Sequence, residues 1–262
     1  MRIARFSSGG DPRYAIVEGP PGEEELVVLT GDPLFVPGRP TGERVPLARE
    51  DVRLLAPVLP RSKAVCIGRN YPEHAKELGN VGKSGDLPLL FLKPNTAVIG
   101  PDDPIVLPDY SADVHLEAEM AIVIGRLAKD VSPEGAEAVI AGYTCANDVT
   151  ARDTQKLENQ WFRAKAFDTS LPLGPWIETE LDTSALAVTS RINGETKQDA
   201  STADMLWDVP SIVSLVSSIV TLLPGDVVLT GTPAGVTSIV HGDRVEVEIE
   251  GIGVLMNPVV RR

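Results

Sequence analysis

Val114-His115-Leu116-Glu117-Ala118-Glu119-Met120-Ala121-Ile122-Val123-Ile124-Gly125 places two acids inside a run that otherwise reads as a buried strand. Side chains of a strand alternate between faces. Leu116, Ala118, Met120 and Ile122 then share one face, and His115, Glu117 and Glu119 share the other. The segment has no Lys or Arg, so two neighbouring carboxylates repel each other and are costly to bury. Two readings relieve this. Either a bound cation sits between them, or the strand lies at an edge with its acidic face in water.

The 262 residues suffice for one large domain, or a large one with a small one. A hydrophobic share of 43% and a charged share of 23% match a soluble globular chain rather than a disordered or membrane one. With 23 Gly and 22 Pro, turns should be many and long helices few. The net charge of -13 argues against a nucleic-acid partner, which needs a basic footprint. An anionic substrate would need a local positive centre, such as a metal ion or a placed lysine. The two cysteines, Cys66 and Cys145, lie in apolar contexts and are read as buried thiols. No stretch approaches the roughly 18 apolar residues of a membrane span, and residues 1–6 carry no apolar signal-peptide core. A cytoplasmic protein without a membrane partner is expected.

Residues 1–58 read as a small β module, with short apolar runs at 14–17, 25–29 and 34–36 between Gly- and Pro-rich turns. Residues 59–262 carry the chemistry. Strands are predicted at 64–67, 89–92, 97–99, 105–107, 116–124 and 143–149, and helical segments at 72–79, 133–141 and 151–165. Residues 79–88 are polar and Gly-interrupted, which predicts mobility. Asn193-Gly194 signals a hairpin. Asp208 is the expected N-cap of the longest helix, 211–222. Strands interrupted by a few helices, without regular βαβ alternation, predict an α+β fold with a large β core.

Asp148 falls at the end of a predicted strand, where a sheet rim exposes side chains, and would extend Glu117 and Glu119 to three carboxylates. That set suits a hard divalent ion. With only three histidines in the chain, a His-rich zinc site is disfavoured. His74 and Glu77 share a face if their segment is helical, so the carboxylate can fix the imidazole tautomer of a general base; an exposed helix with incidental charges fits the spacing too. Lys165, among Trp161, Phe162 and Phe167, either stabilises an oxyanion or snorkels to solvent. Gly231-Thr232-Pro233-Ala234-Gly235 is a tight turn that offers N–H groups to an anion, or only a turn. Tyr71, Trp161 and Phe162 are candidates for either pocket wall or core.

The motifs occur in a specific order. Gly68-Arg69-Asn70-Tyr71 with His74 and Glu77 comes first, then Glu117-Ala118-Glu119. Asn147-Asp148-Val149-Thr150-Ala151-Arg152-Asp153 with Gln155 follows, then Lys165-Ala166-Phe167-Asp168. Pro172-Leu173-Gly174-Pro175 and Val228-Leu229-Thr230-Gly231-Thr232-Pro233 complete the set. Across about residues 62–260 this set resembles the fumarylacetoacetate hydrolase family. The resemblance implies an α+β catalytic domain built as a mixed β-sandwich roll with few helices. The module at 1–58 is similar to the small extra domain of some bacterial members. It also implies a homodimer, and Mg²⁺ or Mn²⁺ held by Glu117, Glu119 and Asp148. His74 and Glu77 match a catalytic pair on a lid, and Lys165 matches a lysine beside the substrate. Arg69, Gln155 and Thr232 match positions near the substrate.

The family's chemistry is that of a 2-oxo acid whose C3 becomes an enolate. The leading expectation is a divalent-metal-dependent enzyme acting on C–C bonds of small 2-oxo acids, by acylpyruvate hydrolysis or oxaloacetate decarboxylation. The complete His74/Glu77 pair favours these over pure isomerisation. The alternative is a 2-hydroxyhepta-2,4-diene-1,7-dioate isomerase or 5-oxopent-3-ene-1,2,5-tricarboxylate decarboxylase of aromatic catabolism. A third is a non-catalytic metal- or ligand-binding protein.

Overall fold

The computed structural model describes residues 1–77 and 87–261. The predicted end of the first helix at Gly79, and most of the segment expected to be mobile, lie outside the described residues. The architecture is α+β: three mixed or antiparallel sheets with a few short helices.

The strand Ala118–Ile124 is the centre of the largest sheet, and every residue in it is buried. It pairs antiparallel with Ile140–Asn147 on one side and Val227–Leu229 on the other. The sheet continues from Val227–Leu229 through a parallel pairing to Ala64–Gly68 and then to Leu89–Lys93. In the other direction Ile140–Asn147 leads to Leu171–Glu178. Met120, Ile122 and Ile124 pack into one core with Val188, Val247, Leu255 and the helix residues Ile212 and Val216. Ala121 and Val123 pack into a second core with Leu171, Leu173 and Leu229. Burial on both faces explains the nearly unbroken apolar run.

A five-stranded sheet covers the first core, in the order Glu195–Ser201, Ala187–Ile192, Arg244–Ile249, Gly253–Arg261, Ile105–Leu107. Its first two strands form the hairpin expected at Asn193-Gly194, where both residues take positive φ. The strands of residues 1–58 carry their own small core of Ala4, Phe6, Val17, Leu26 and Val28. They are continuous with the large sheet, because Arg2–Ser7 pairs with Leu171–Glu178.

Four expectations are corrected. The predicted strand at 116–124 is interrupted at Glu117: Val114–Leu116 belongs to a separate three-stranded sheet. At the break, side chains replace the backbone ladder. Asn147 Oδ1 accepts from the Glu117 N–H at 3.0 Å and Gln198 Oε1 from the Ala118 N–H at 2.9 Å. Residues 133–139 form two 3₁₀ turns rather than a helix, and 151–165 splits into Arg152–Leu157 and Phe162–Lys165. The longest helix is Val209–Ile219, capped by Asp208 as expected (Ser211 N to Oδ1, 2.9 Å). It ends early because Leu222 exchanges both backbone hydrogen bonds with Ala128.

Candidate active site

The break at Glu117 builds the site. In the antiparallel register Glu119 lies opposite Ala146 and Ala118 opposite Asn147, so Asp148 leaves its strand beside Glu117. The Asp148 N–H donates to the Glu117 carbonyl at 2.9 Å. Glu117, Glu119 and Asp148 are all buried, and one carboxylate oxygen from each lies within 4.8 Å of the others.

Among the described residues, Lys165, Arg152 and Lys93 form ion pairs with this triad. Lys165, at the end of Phe162–Lys165, reaches Glu117 Oε2 at 2.7 Å and Asp148 Oδ2 at 2.6 Å. Arg152, at the start of Arg152–Leu157, pairs with Glu117 Oε1. Lys93, the last residue of its strand, pairs with Asp148 Oδ1 at 2.9 Å. Burial alone would raise the Glu117 carboxyl, but Lys165, Arg152 and His74 hold it well below the usual carboxylate range. Burial lowers Lys165, and the charges of Asp148 and Glu117 more than restore it, so its ammonium is secure.

Glu119 differs. Among the described residues it forms no ion pair; it accepts the Gly231 N–H at 2.6 Å. Burial, then the charges of Asp148 and Glu117, push its carboxyl well up. A buried acid set against two others and lacking its own counter-charge fits a divalent cation, and an all-oxygen donor set fits a hard one. Gly231 can point its N–H there because it has φ of +95°; a Cβ at this position would meet Asn70 Cβ at 2.9 Å.

His74 is buried on the short helix Pro72–Glu77, and its Nδ1 lies 3.1 Å from Glu77 Oε2. A carboxylate only accepts, so Nδ1 carries the proton and Nε2 is left as the base. Burial lowers the imidazole pKa more than Glu117 and Glu77 raise it, which keeps the ring neutral at neutral pH. Glu77 Oε1 accepts the Gly235 N–H at 3.2 Å, tying the pair to the 231–235 turn.

A cavity of about 40 Å³ is lined by Arg69, His74, Glu117, Glu119, Asp148, Gln155, Lys165 and Thr232, together with Phe91, Arg152 and Trp161. Eight of the nine residues matched to metal, catalytic or substrate positions therefore face one space, and Glu77 stands behind His74. Arg69, Phe91, Arg152, Gln155 and Trp161 also line a second cavity of about 540 Å³, together with Lys156 and Glu158. Arg69 has φ of +66°, an uncommon conformation for a residue with a long side chain. The Asn70 amide braces that turn, donating to the Thr230 carbonyl at 2.8 Å and accepting from the Trp207 N–H at 2.8 Å. Thr232 is oriented by Gln198, which donates to its Oγ1 at 2.8 Å.

Trp161 is a wall of both cavities and stacks edge-on against Phe91. Tyr71 is buried outside them, and Phe162 is 70% exposed, in neither core nor pocket. His115 does not line the site. Its Nε2 faces Asp113 Oδ1 at 2.9 Å, and its Nδ1 accepts from Arg152 Nε at 3.4 Å. Sequence reasoning assigned no role to Arg152, Lys93 or Gln198. Arg152 stood inside a quoted motif. The signal for Lys93 was a lysine closing an apolar strand before Pro94, a pattern that surface strands share.

Residues 63–260 match the family description Fumarylacetoacetate (FAA) hydrolase C-terminal, and residues 1–57 match Rv2993c-like, N-terminal. The human mitochondrial oxaloacetate tautomerase FAHD2A is 42% identical over 226 residues, 82% of this chain and 71% of that protein. The 2-hydroxyhepta-2,4-diene-1,7-dioate isomerase from Mycobacterium marinum is 48% identical with a TM-score of 0.91, covering 100% of this chain and 99% of the other. The fumarylpyruvate hydrolase from Pseudomonas aeruginosa, solved with Mn²⁺ and pyruvate, is 31% identical with a TM-score of 0.73, covering 80% of this chain and 92% of the other. The chain belongs to the fumarylacetoacetate hydrolase family.

Proposed function

We propose that this member of the fumarylacetoacetate hydrolase family acts on small 2-oxo acids by moving a proton at C3, with keto–enol conversion of an oxaloacetate-type dicarboxylate as its reaction. The carrying observation is that the His74–Glu77 pair, Lys165 and the three carboxylates meet at one cavity. Glu117, Glu119 and Asp148 would hold Mg²⁺ or Mn²⁺, which when bound supplies Lewis acidity toward the carboxylate and keto oxygens of a 2-oxo acid. His74 Nε2 takes the proton from C3, and the electron pair of that C–H bond becomes the enolate. Glu77 stabilises the imidazolium that forms. Lys165 donates a hydrogen bond to the developing oxyanion, and Arg69, Gln155 and Thr232 orient the substrate. Return of that proton from the His74 imidazolium to the enolate oxygen, directly or through a water, completes the enol and restores the base, with no further reactant consumed. The 42% identity to an oxaloacetate tautomerase supports this reading.

C–C cleavage is the second reading, favoured by the ability of the same pair to activate water. His74 would deprotonate a water that attacks C4 of an acylpyruvate. The C3–C4 bond breaks, its electrons stay on C3, and a carboxylic acid and a pyruvate enolate result. Loss of CO₂ from oxaloacetate gives the same enolate. The test follows C3–H exchange in D₂O by NMR, and pyruvate release, for oxaloacetate, acetylpyruvate, fumarylpyruvate and a 2-hydroxydienedioate with Mn²⁺ present. Exchange without pyruvate supports proton transfer, and pyruvate release supports cleavage. Neither, with every substrate, refutes enolate chemistry.

A further inference from the structure

Lys93 is 1% exposed, and its ammonium is surrounded by fixed acceptors. Nζ donates to the Ser170 carbonyl at 2.8 Å, Ser170 Oγ at 3.0 Å, the Val149 carbonyl at 3.2 Å and the Lys165 carbonyl, and pairs with Asp148 Oδ1 at 2.9 Å. These acceptors come from the two segments that carry Asp148 and Lys165. Ser170 Oγ also donates to the Lys165 carbonyl at 2.8 Å, which closes the knot. Lys165 is held differently: its Nζ contacts two carboxylates and lies over the Phe91 ring at 5.0 Å, with no backbone acceptor among the described residues. The two oxygens of Asp148 are thus divided, Oδ1 to the anchored lysine and Oδ2 to the lysine facing the cavity.

We propose that Lys93 is a positioning residue whose anchored ammonium orients the Asp148 carboxylate and fixes the backbone of Lys165, so that a metal ligand and the cavity lysine are presented together. The proposal rests on the metal reading above. A cation next to a metal site has two opposed effects. Its charge repels the ion, while its grip orders a ligand. If charge dominated, removing it would tighten metal binding; if positioning dominates, removing it weakens binding, by about 10- to 100-fold for lost support of a ligand.

The experiment is Mn²⁺ titration of the full chain by calorimetry, without substrate, for wild type, Lys93→Met and Ser170→Ala, with circular dichroism to check folding. Lys93→Met should weaken Mn²⁺ binding into that range, with excess Mn²⁺ restoring much of the turnover. Ser170→Ala keeps the charge but removes one anchor, and should weaken binding by a smaller factor. Unchanged or tighter binding in Lys93→Met overturns the proposal. If Lys93→Met does not fold, Ser170→Ala decides, and unchanged binding there overturns it. A wild-type chain that takes up no Mn²⁺ refutes the metal reading itself, a result distinct from tight binding that survives loss of Lys93.

Discussion

Glu119→Gln separates stability from metal binding at one atom. One carboxylate oxygen from each of Glu117, Glu119 and Asp148 lies within 4.8 Å of the others. At that separation and an effective dielectric of 20, an ionised Glu119 would be repelled by roughly 3–4 kcal/mol for each like-charge pair, and escaping this by taking up a proton on folding costs about 1.4 kcal/mol per pH unit above the ordinary carboxylate value. Lys165 offsets part of this, as does the Gly231 N–H, which Gln can still accept through its amide oxygen. A net gain of about 1–3 kcal/mol is expected for the metal-free variant, or roughly 2–4 °C in Tm per kcal/mol. The assay is thermal unfolding in excess chelator and again in excess Mn²⁺. In chelator Glu119→Gln should melt above wild type; in Mn²⁺ wild type should gain and the variant should gain little. Turnover of a 2-oxo acid should be lost. A variant that melts below wild type in chelator, or that gains equally from Mn²⁺, refutes the claim that Glu119 is a charge awaiting a cation.

Glu77→Gln and His74→Ala should each lower turnover by about 10²–10⁴-fold while leaving Mn²⁺ affinity within a small factor, measured by steady-state kinetics and calorimetry; a comparable loss of metal affinity would contradict the assigned roles. Asp226 is fully buried, and burial pushes its carboxyl up, but Lys63, Ser62 and the Leu223 N–H more than compensate and hold it below its ordinary value. Its stabilisation is therefore present above its unfolded value and lost as pH falls through the lower folded one. Asp226→Asn should cost about 1–3 kcal/mol near neutral pH, and its deficit against wild type should shrink below about pH 4 in denaturant melts; a constant deficit across that window would refute the assignment. Gly194→Ala should cost about 1–2 kcal/mol in the same melts, because φ is +82° while an added Cβ meets nothing within 4 Å; no loss would show that the turn relaxes.

Much of the site was legible before folding because its parts sit in short motifs whose spacing matches a strand or a helical turn. Glu117 and Glu119 stand two apart, and His74 and Glu77 three apart on one turn. Alternation correctly put Leu116, Ala118, Met120 and Ile122 in one core. It failed at Glu117, because the acceptors that interrupt the ladder, Asn147 and Gln198, come from 30 and 80 residues away. No local pattern records such partners. The same reason hid the end of the longest helix, where Leu222 pairs with Ala128, distant in the chain.

By itself the sequence determined most of the strands, the hairpin at Asn193-Gly194, and the spacing of Glu117 with Glu119 and of His74 with Glu77, since each depends on residues close in the chain, whereas it was the family resemblance that joined the distant Asp148 to the two glutamates. It left Glu117 and Glu119 without counter-charges. Only the tertiary structure decided which cations meet which acids: Arg152 and Lys165 at Glu117, Lys165 and Lys93 at Asp148, and no ion pair at Glu119 among the described residues. The physical reason is that ionic interactions depend on distance through space and on burial, and the pairing of Lys93 with Asp148 joins the ends of two strands, Leu89–Lys93 and Ile140–Asn147, that lie far apart in sequence.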